Sequence, residues 1–193
     1  MWTETLKHRG CLNDDERRSY SGKPLIDSES PGAVLLCRLT FTPGDSMCGV
    51  LGIVGPSNTS AAQALYDGLI GIQHRGQDAA GIVTLNHTYH LVKGMGLVPQ
   101  IFDSSNILRL TGSSGIGHVR YPTYGSGTVE DAQPFLLHYP FGIAMAHNGQ
   151  VTNFRQIKEQ LERDSRRLVM SGCDVEIILH VFADELSRAV PKG

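Results

Sequence analysis

The stretch "MCGVLGIVG" occupies residues 47–55. It joins a methionine to a Cys-Gly pair and then to a short apolar run, which the turn signal "GPSN" closes. This is how a protein begins, yet here it follows 46 other residues. Those residues have a different character. "CLNDDERRSYSGKPLIDSESPGA" mixes charge, serine, glycine and proline without a sustained period of 2 or 3.6, so residues 1–46 read as a flexible leader. Its seven acidic residues exclude a mitochondrial or chloroplast transit peptide, and "MWTETLKHRG" lacks the apolar core of a secretory signal. A weak strand is expected at residues 33–41.

Working outward from Met47, the punctuation is that of an α+β protein. "GVLGIV" (49–54) predicts a buried strand, and "SAAQALYDGLIGIQ" (60–73) a helix capped by Ser60 with Leu65, Leu69 and Ile72 on one stripe. "GIVTL" and "TYHLV" predict a hairpin across Asn86-His87, and "GIGHV" and "GIAMAH" two further strands. Thr152 is the expected cap of a helix carrying Phe154, Ile157 and Leu161. Asp174 is the expected cap of a last helix, with Leu179, Phe182, Ala183, Leu186 and Val190 as its apolar stripe. Strands in neighbouring runs, without strict helix alternation, favour antiparallel sheets covered by helices.

Composition narrows the function classes. The chain has 193 residues, 40% hydrophobic and 19% charged, enough for a sizeable core. A net charge of -2 gives no basis for nucleic-acid or anionic-membrane binding. No run approaches the roughly 18 apolar residues of a membrane helix. Cys11, Cys37, Cys48 and Cys173 are irregularly spaced, without a Cys-x-x-Cys pair, which argues against a disulfide framework or zinc knuckle and for a reducing cytoplasm.

Polar clusters interrupt the apolar pattern: Cys48-Gly49, "QHRGQDAAG" (73–81), "GHVRYPTYGSG" (117–127) and "AHNGQVTN" (146–153), with Asp174 at a predicted helix start. Singly, each has a bland reading. Cys48 is a small hydrophobe, Arg120 a surface ion pair, Asn148-Gly149 a turn and Asp174 a plain cap. His74, His118 and His147 lack metal-ligand spacing and read as hydrogen-bonded scaffold. Together the clusters suit one chemistry. If Cys48 becomes the first residue, its own α-amine, with an ordinary pKa of about 7.7 to 8.0, is a general base beside the thiol. Asn148 and the Gly149 N–H are donors for an oxyanion. Arg120 and Asp174 offer a cation and an anion for an amino-acid head. That is hydrolysis of the glutamine side-chain amide through a thioester.

"MCGVLGIVG", "QHRGQDAAGIVT", "KGMGLVPQIF", "GIGHVRYPT" and "AQPF…YPFGIAMAHNGQVTN" resemble the glutaminase half of the amidophosphoribosyltransferase family, which are class II glutamine amidotransferases of the N-terminal-nucleophile hydrolase superfamily. The resemblance runs from Met47 to about Leu186. It implies a four-layer αββα sandwich, C-terminally truncated: residues 47–193 form an incomplete glutamine amidotransferase domain, and the phosphoribosyltransferase domain is absent. It implies Cys48 as nucleophile with its freed amine as base. Arg120 and Thr123 would hold the glutamine α-carboxylate, Asn148 and Gly149 the oxyanion, and Asp174 the α-amino group. Arg75 and Gly76 would line the pocket near the nucleophile. L-glutamine is the implied substrate, and the implied process is the first committed step of de novo purine biosynthesis.

Phosphoribosyl pyrophosphate and Mg²⁺ are implied only for the complete enzyme, as is a homo-oligomer. No cofactor is expected in this segment, and an iron–sulfur cluster is left undecided. Met47 as a genuine start, or a propeptide cleaved before Cys48, would both free the amine. Three departures from the family pattern stand out: the chain stops at "AVPKG", Cys173 and Val175 replace serines, and Tyr124 follows Thr123. They keep open a non-catalytic relative that binds a full-length homologue and a stand-alone glutaminase.

Overall fold

A computed structural model describes residues 48–121 and 127–190. The expected strand at 33–41, the leader, Thr123 and Tyr124 lie outside the described residues. Four strands form one antiparallel sheet: β1 (Gly49–Val54), β2 (Ala79–Asn86), β3 (Thr88–Met95) and β4 (Ser114–Arg120), in the order β1-β4-β2-β3. The register pairs Gly49 with Val119 and Ile82 with Gly117, so each strand alternates cleanly between two faces. The β2–β3 hairpin turns at His87, whose φ of 58° is the left-handed geometry such a tight reversal requires.

Helix α1 (Ala61–Gly71) lies across one face. Leu65 and Leu69 are fully buried and Ile72 packs beside them, as the stripe predicts. Glycines seat them: a Cβ at Gly117 would stand 3.0 Å from Leu69, and one at Gly115 2.9 Å from Leu65. Close approach of the helix is thus written into the strands as missing side chains. Ser60 occupies the N-cap position but makes no side-chain cap. The Ala61 N–H donates instead to the Gly112 carbonyl at 2.8 Å, so the docked backbone does the capping. Two short helices that carry no strong sequence period, α2 (Val98–Ile101) and α3 (Ser104–Ile107), close this core through Val98 and Phe102. Asp103 caps α3, accepting from the Ser105 and Asn106 N–H groups at 2.8 Å.

The other face of the sheet meets a second antiparallel sheet, β5 (Phe135–Leu137) with β6 (Ile143–Met145). Lys93 tethers the two. Its Nζ donates to the Ala132 carbonyl at 2.6 Å and stands 4.4 Å over the Phe135 ring, and burial lowers its pKa. Helix α5 (Asp174–Ala189) covers β5 and β6, giving the helix–sheet–sheet–helix layering expected of an αββα sandwich. Helix α4 (Phe154–Gln160) and the π-turn after it make a small satellite core of Leu161, Val169 and Ile177. Among the described residues no helix is long and apolar enough to cross a membrane.

Two helix-end expectations shift. Asn153, not Thr152, holds the N-cap position of α4. Cys173 holds that of α5, with Asp174 its first helical residue. The start of α5 is tied down by Glu176, whose carboxylate accepts from the Met170 N–H (2.8 Å), the Ser171 N–H (2.7 Å) and the Ser171 hydroxyl. The buried stripe of α5 is Val175, Leu179 and Ala183, at i, i+4 and i+8, while Phe182 and Val190 face outward. With two hydrophobic stripes on one helix, periodicity alone selects neither.

Gly81 sits where the sheets touch: a Cβ there would lie 2.2 Å from the Gln133 carbonyl oxygen and 2.8 Å from the Lys93 Cβ. Backbone cannot yield as a flexible side chain can. Gly81→Ala is expected to lower unfolding free energy by about 1–3 kcal/mol. Gly52→Ala on β1, where a Cβ meets nothing within 4 Å, should cause no loss. Urea unfolding of the two variants beside the parent measures the difference.

Candidate active site

The nucleophile candidate precedes β1. Cys48 Sγ accepts from the Tyr121 N–H at 3.2 Å, so the thiol lies against the backbone leaving the end of β4. The Cys48 carbonyl is held from two sides: Asn148 Nδ2 donates to it at 2.8 Å and Arg75 Nε at 3.3 Å. Both sequence clusters therefore meet at one peptide group, 27 and 100 residues away in the chain. Gly76 follows in close contact with β4, where a Cβ would be 2.6 Å from the Val119 and Arg120 carbonyl carbons. No other residue allows that approach.

Arg120 ends β4 and is 5% exposed, which makes the surface ion-pair reading wrong for it. Its Nη1 meets Asp78 at 2.6 Å and its Nη2 faces the fully buried Asp131 at 3.8 Å. Asp131 also accepts from the Gly172 N–H at 2.8 Å, linking the arginine to the segment before α5. Asp174 accepts from the Val151 N–H at 2.8 Å through one oxygen and stands 3.7 Å from His147 Nδ1 through the other. Gly149 presses against the His147 ring, 2.8 Å from where its Cβ would be.

These groups surround a cleft of about 550 Å³ lined by Cys48, Arg120, Gly149, Gln150, Arg155 and Asp174 among others. Cys48, Arg120, Gly149 and Asp174 thus come together in one space, with Asn148 at its edge through the Cys48 carbonyl. Arg75 and Gly76 do not line this cleft. They stand behind Cys48, one on its carbonyl and the other on the strand beside it.

No protein-family model matches the chain. The amidophosphoribosyltransferase of Pseudomonas aeruginosa is 51% identical over 142 residues, which is 73% of this chain. The Escherichia coli enzyme of that name is 46% identical over 144 residues, 74% of this chain. Among solved structures, the glutamine phosphoribosylpyrophosphate amidotransferase of B. subtilis, complexed with ADP and GMP, matches at a TM-score of 0.58 and 34% identity, over 69% of this chain and 28% of its own. The chain is a relative of the amidophosphoribosyltransferases. It spans 28% of the length of the Pseudomonas and E. coli proteins.

Several residues around the cleft escaped the sequence reading. Gln133 pairs with the His147 backbone as a strand neighbour would: its Oε1 accepts from the His147 N–H at 2.7 Å and its Nε2 donates to the carbonyl at 3.2 Å. It fixes the segment that carries Asn148. Asp78 and Asp131 hold Arg120, and each lay in or beside a stretch already singled out. Nothing in spacing says that a carboxylate 42 residues upstream will find this guanidinium. Cys173, one of the serine replacements, accepts from Gln133 Nε2 at 3.6 Å, and burial pushes its thiol pKa up to about 11. It is inert filler of the cleft wall.

His118 lies on the same face of β4 as Arg120 and is fully buried; burial pushes its pKa down to about 3. As pH falls through about 6.5 the unfolded chain takes a proton on this imidazole and the native chain does not. His118 thus favours the native state fully above that pH, and its contribution is lost progressively on the way to pH 3. The loss from pH 7 to pH 5 is about 2 kcal/mol. The difference in unfolding free energy between parent and His118→Asn should therefore shrink by that amount over the same interval. Chemical denaturation at the two pH values measures it, with other titrating groups cancelling.

Proposed function

We propose that the chain hydrolyses the side-chain amide of L-glutamine, supplying ammonia for phosphoribosylamine synthesis, with Cys48 as nucleophile. The observation that carries this reading is the convergence of Cys48, the Asn148-Gly149 pair, Arg120 and Asp174 on one cleft. The chemistry needs a base next to the thiol, and the cysteine's own α-amine serves once Met47 is removed. The thiol proton passes to that amine as sulfur attacks the amide carbon. Charge collects on the carbonyl oxygen, where the second Asn148 Nδ2 hydrogen and the Gly149 N–H stabilise it. The amine returns the proton to the leaving nitrogen, the C–N bond breaks and ammonia departs. Water then adds to the thioester by the same proton relay and releases glutamate and the free thiol.

Arg120 and Asp174 stand on the cleft wall as partners for the α-carboxylate and α-ammonium of the amino-acid head. Thr123 would assist the carboxylate. Among the described residues no group of three or more His, Cys, Asp or Glu side chains converges as a metal set. Transfer of that ammonia to phosphoribosyl pyrophosphate is part of this reading for the longer protein only, since the chain spans 28% of the length of its Pseudomonas aeruginosa relative. The cytoplasm, where thiols stay reduced, suits this chemistry.

Glutamate release from glutamine tests the reading, with intact mass of the same sample locating the N-terminus. Protein beginning at Cys48 is expected to turn over. Cys48→Ala should abolish release, and Asn148→Ala should lower kcat by about 10²–10³-fold. Terminal Cys48 without release above the Cys48→Ala background would refute it.

A further inference from the structure

Asn148 has two jobs for one amide. Its Nδ2 already donates to the Cys48 carbonyl, and its remaining hydrogen must point at the oxyanion. The opposite end, Oδ1, is buried without a hydrogen-bond partner, as are both ring nitrogens of His118. A buried acceptor left unpaired loses its hydration without return, and so does a buried donor. The ring's polar neighbours are the Asn148 side chain and the His147 backbone. The His147 carbonyl already receives the Gln133 Nε2 hydrogen. Asn148 Oδ1 receives nothing.

A neutral imidazole carries one N–H and one bare nitrogen, and the tautomer follows the partner that most needs a donor. An amide is nearly symmetric in shape, so only its hydrogen bonds decide which end faces the reaction. Flipped, Asn148 would turn its oxygen toward both the Cys48 carbonyl and the developing oxyanion. A donor behind Oδ1 prevents that.

We propose that His118 is a positioning residue whose ring N–H donates to Asn148 Oδ1, locking the amide with Nδ2 toward the oxyanion. The inference rests on the glutaminase reading above. The ring stands beside the amide without a well-formed hydrogen bond, and catalytic hydrogen bonds in unliganded sites often tighten only in the reacting complex. The scaffold reading of His118 becomes a specific one: it holds one atom of one catalytic side chain.

The test uses the full chain with His118→Leu, which keeps volume and loses the donor, and His118→Gln and His118→Asn, which restore a donor at either ring-nitrogen position. His118→Leu should cut kcat for glutamate release about 10- to 100-fold with the KM for glutamine changed far less. At least one amide variant should recover most of the loss. In an Asn148→Ala background His118→Leu should add little. The side-chain ¹⁵N–¹H signals of Asn148, assigned by their loss in Asn148→Ala, should shift in His118→Leu. Equal effects of His118→Leu with and without Asn148, or unmoved Asn148 signals, would overturn the proposal. If the parent releases no more glutamate than Cys48→Ala, the glutaminase reading falls instead, and the Asn148 signals alone decide the contact.

Discussion

The arrangement depends on a guanidinium withdrawn from water. Arg120 is almost wholly buried, and burial of an unpaired charge would cost several kcal/mol. Asp78, just before β2, and Asp131, in the turn before β5, compensate it. Because Asp131 also takes the Gly172 N–H, the same charge network reaches from the central sheet through the second sheet to the approach to α5. Each element it touches bears on the cleft. Burying these charges offsets much of what their attraction gains, so the network is a constraint on geometry more than a source of stability.

Cys48 is placed by a second constraint, hydrogen bonds to its own backbone and sulfur. The Cys48 carbonyl takes two donors from distant loops, and the sulfur takes a third from Tyr121. Gly76 lets the loop with Arg75 lie directly on the end of β4, and Gln133 zips the His147 segment alongside it. A cysteine at the start of an edge strand would otherwise fray, since β1 pairs with β4 alone among the described strands. Here its orientation is over-determined from outside the strand.

What could be read from the sequence follows from the range of the forces involved. β1 matched residue for residue, and the β2–β3 hairpin and the buried Leu65–Leu69 stripe appeared where period and turn chemistry placed them, because those signals are local. Helix starts moved by a residue, at Asn153 and Cys173, neither of which makes a side-chain cap, and at the second Glu176 reaches back to the Ser171 N–H. Phe182 misled because α5 carries apolar residues on two faces, and only the sheet decides which is covered. The site clusters were legible as clusters. Their partners Asp78, Asp131 and Gln133 were not, since pairing across 42, 41 and 14 residues is a property of the sandwich and not of spacing.

The charge balance of the cleft then bears on what it can recognise. Arg120 arrives compensated by two carboxylates, so its attraction for a third cannot rest on net charge. It rests on the planar fork, which presents donors in the geometry a carboxylate accepts and holds them still. Arg155 and Lys158 also line the cleft and add positive charge to it, Lys158 standing 3.9 Å from Glu162. Asp174 is the opposing pole, with one oxygen committed to Val151 and the other only loosely opposed by His147 at 3.7 Å. A ligand with a single charge satisfies one pole and desolvates the other without return. A zwitterionic head, as the glutaminase reading proposes, would satisfy both.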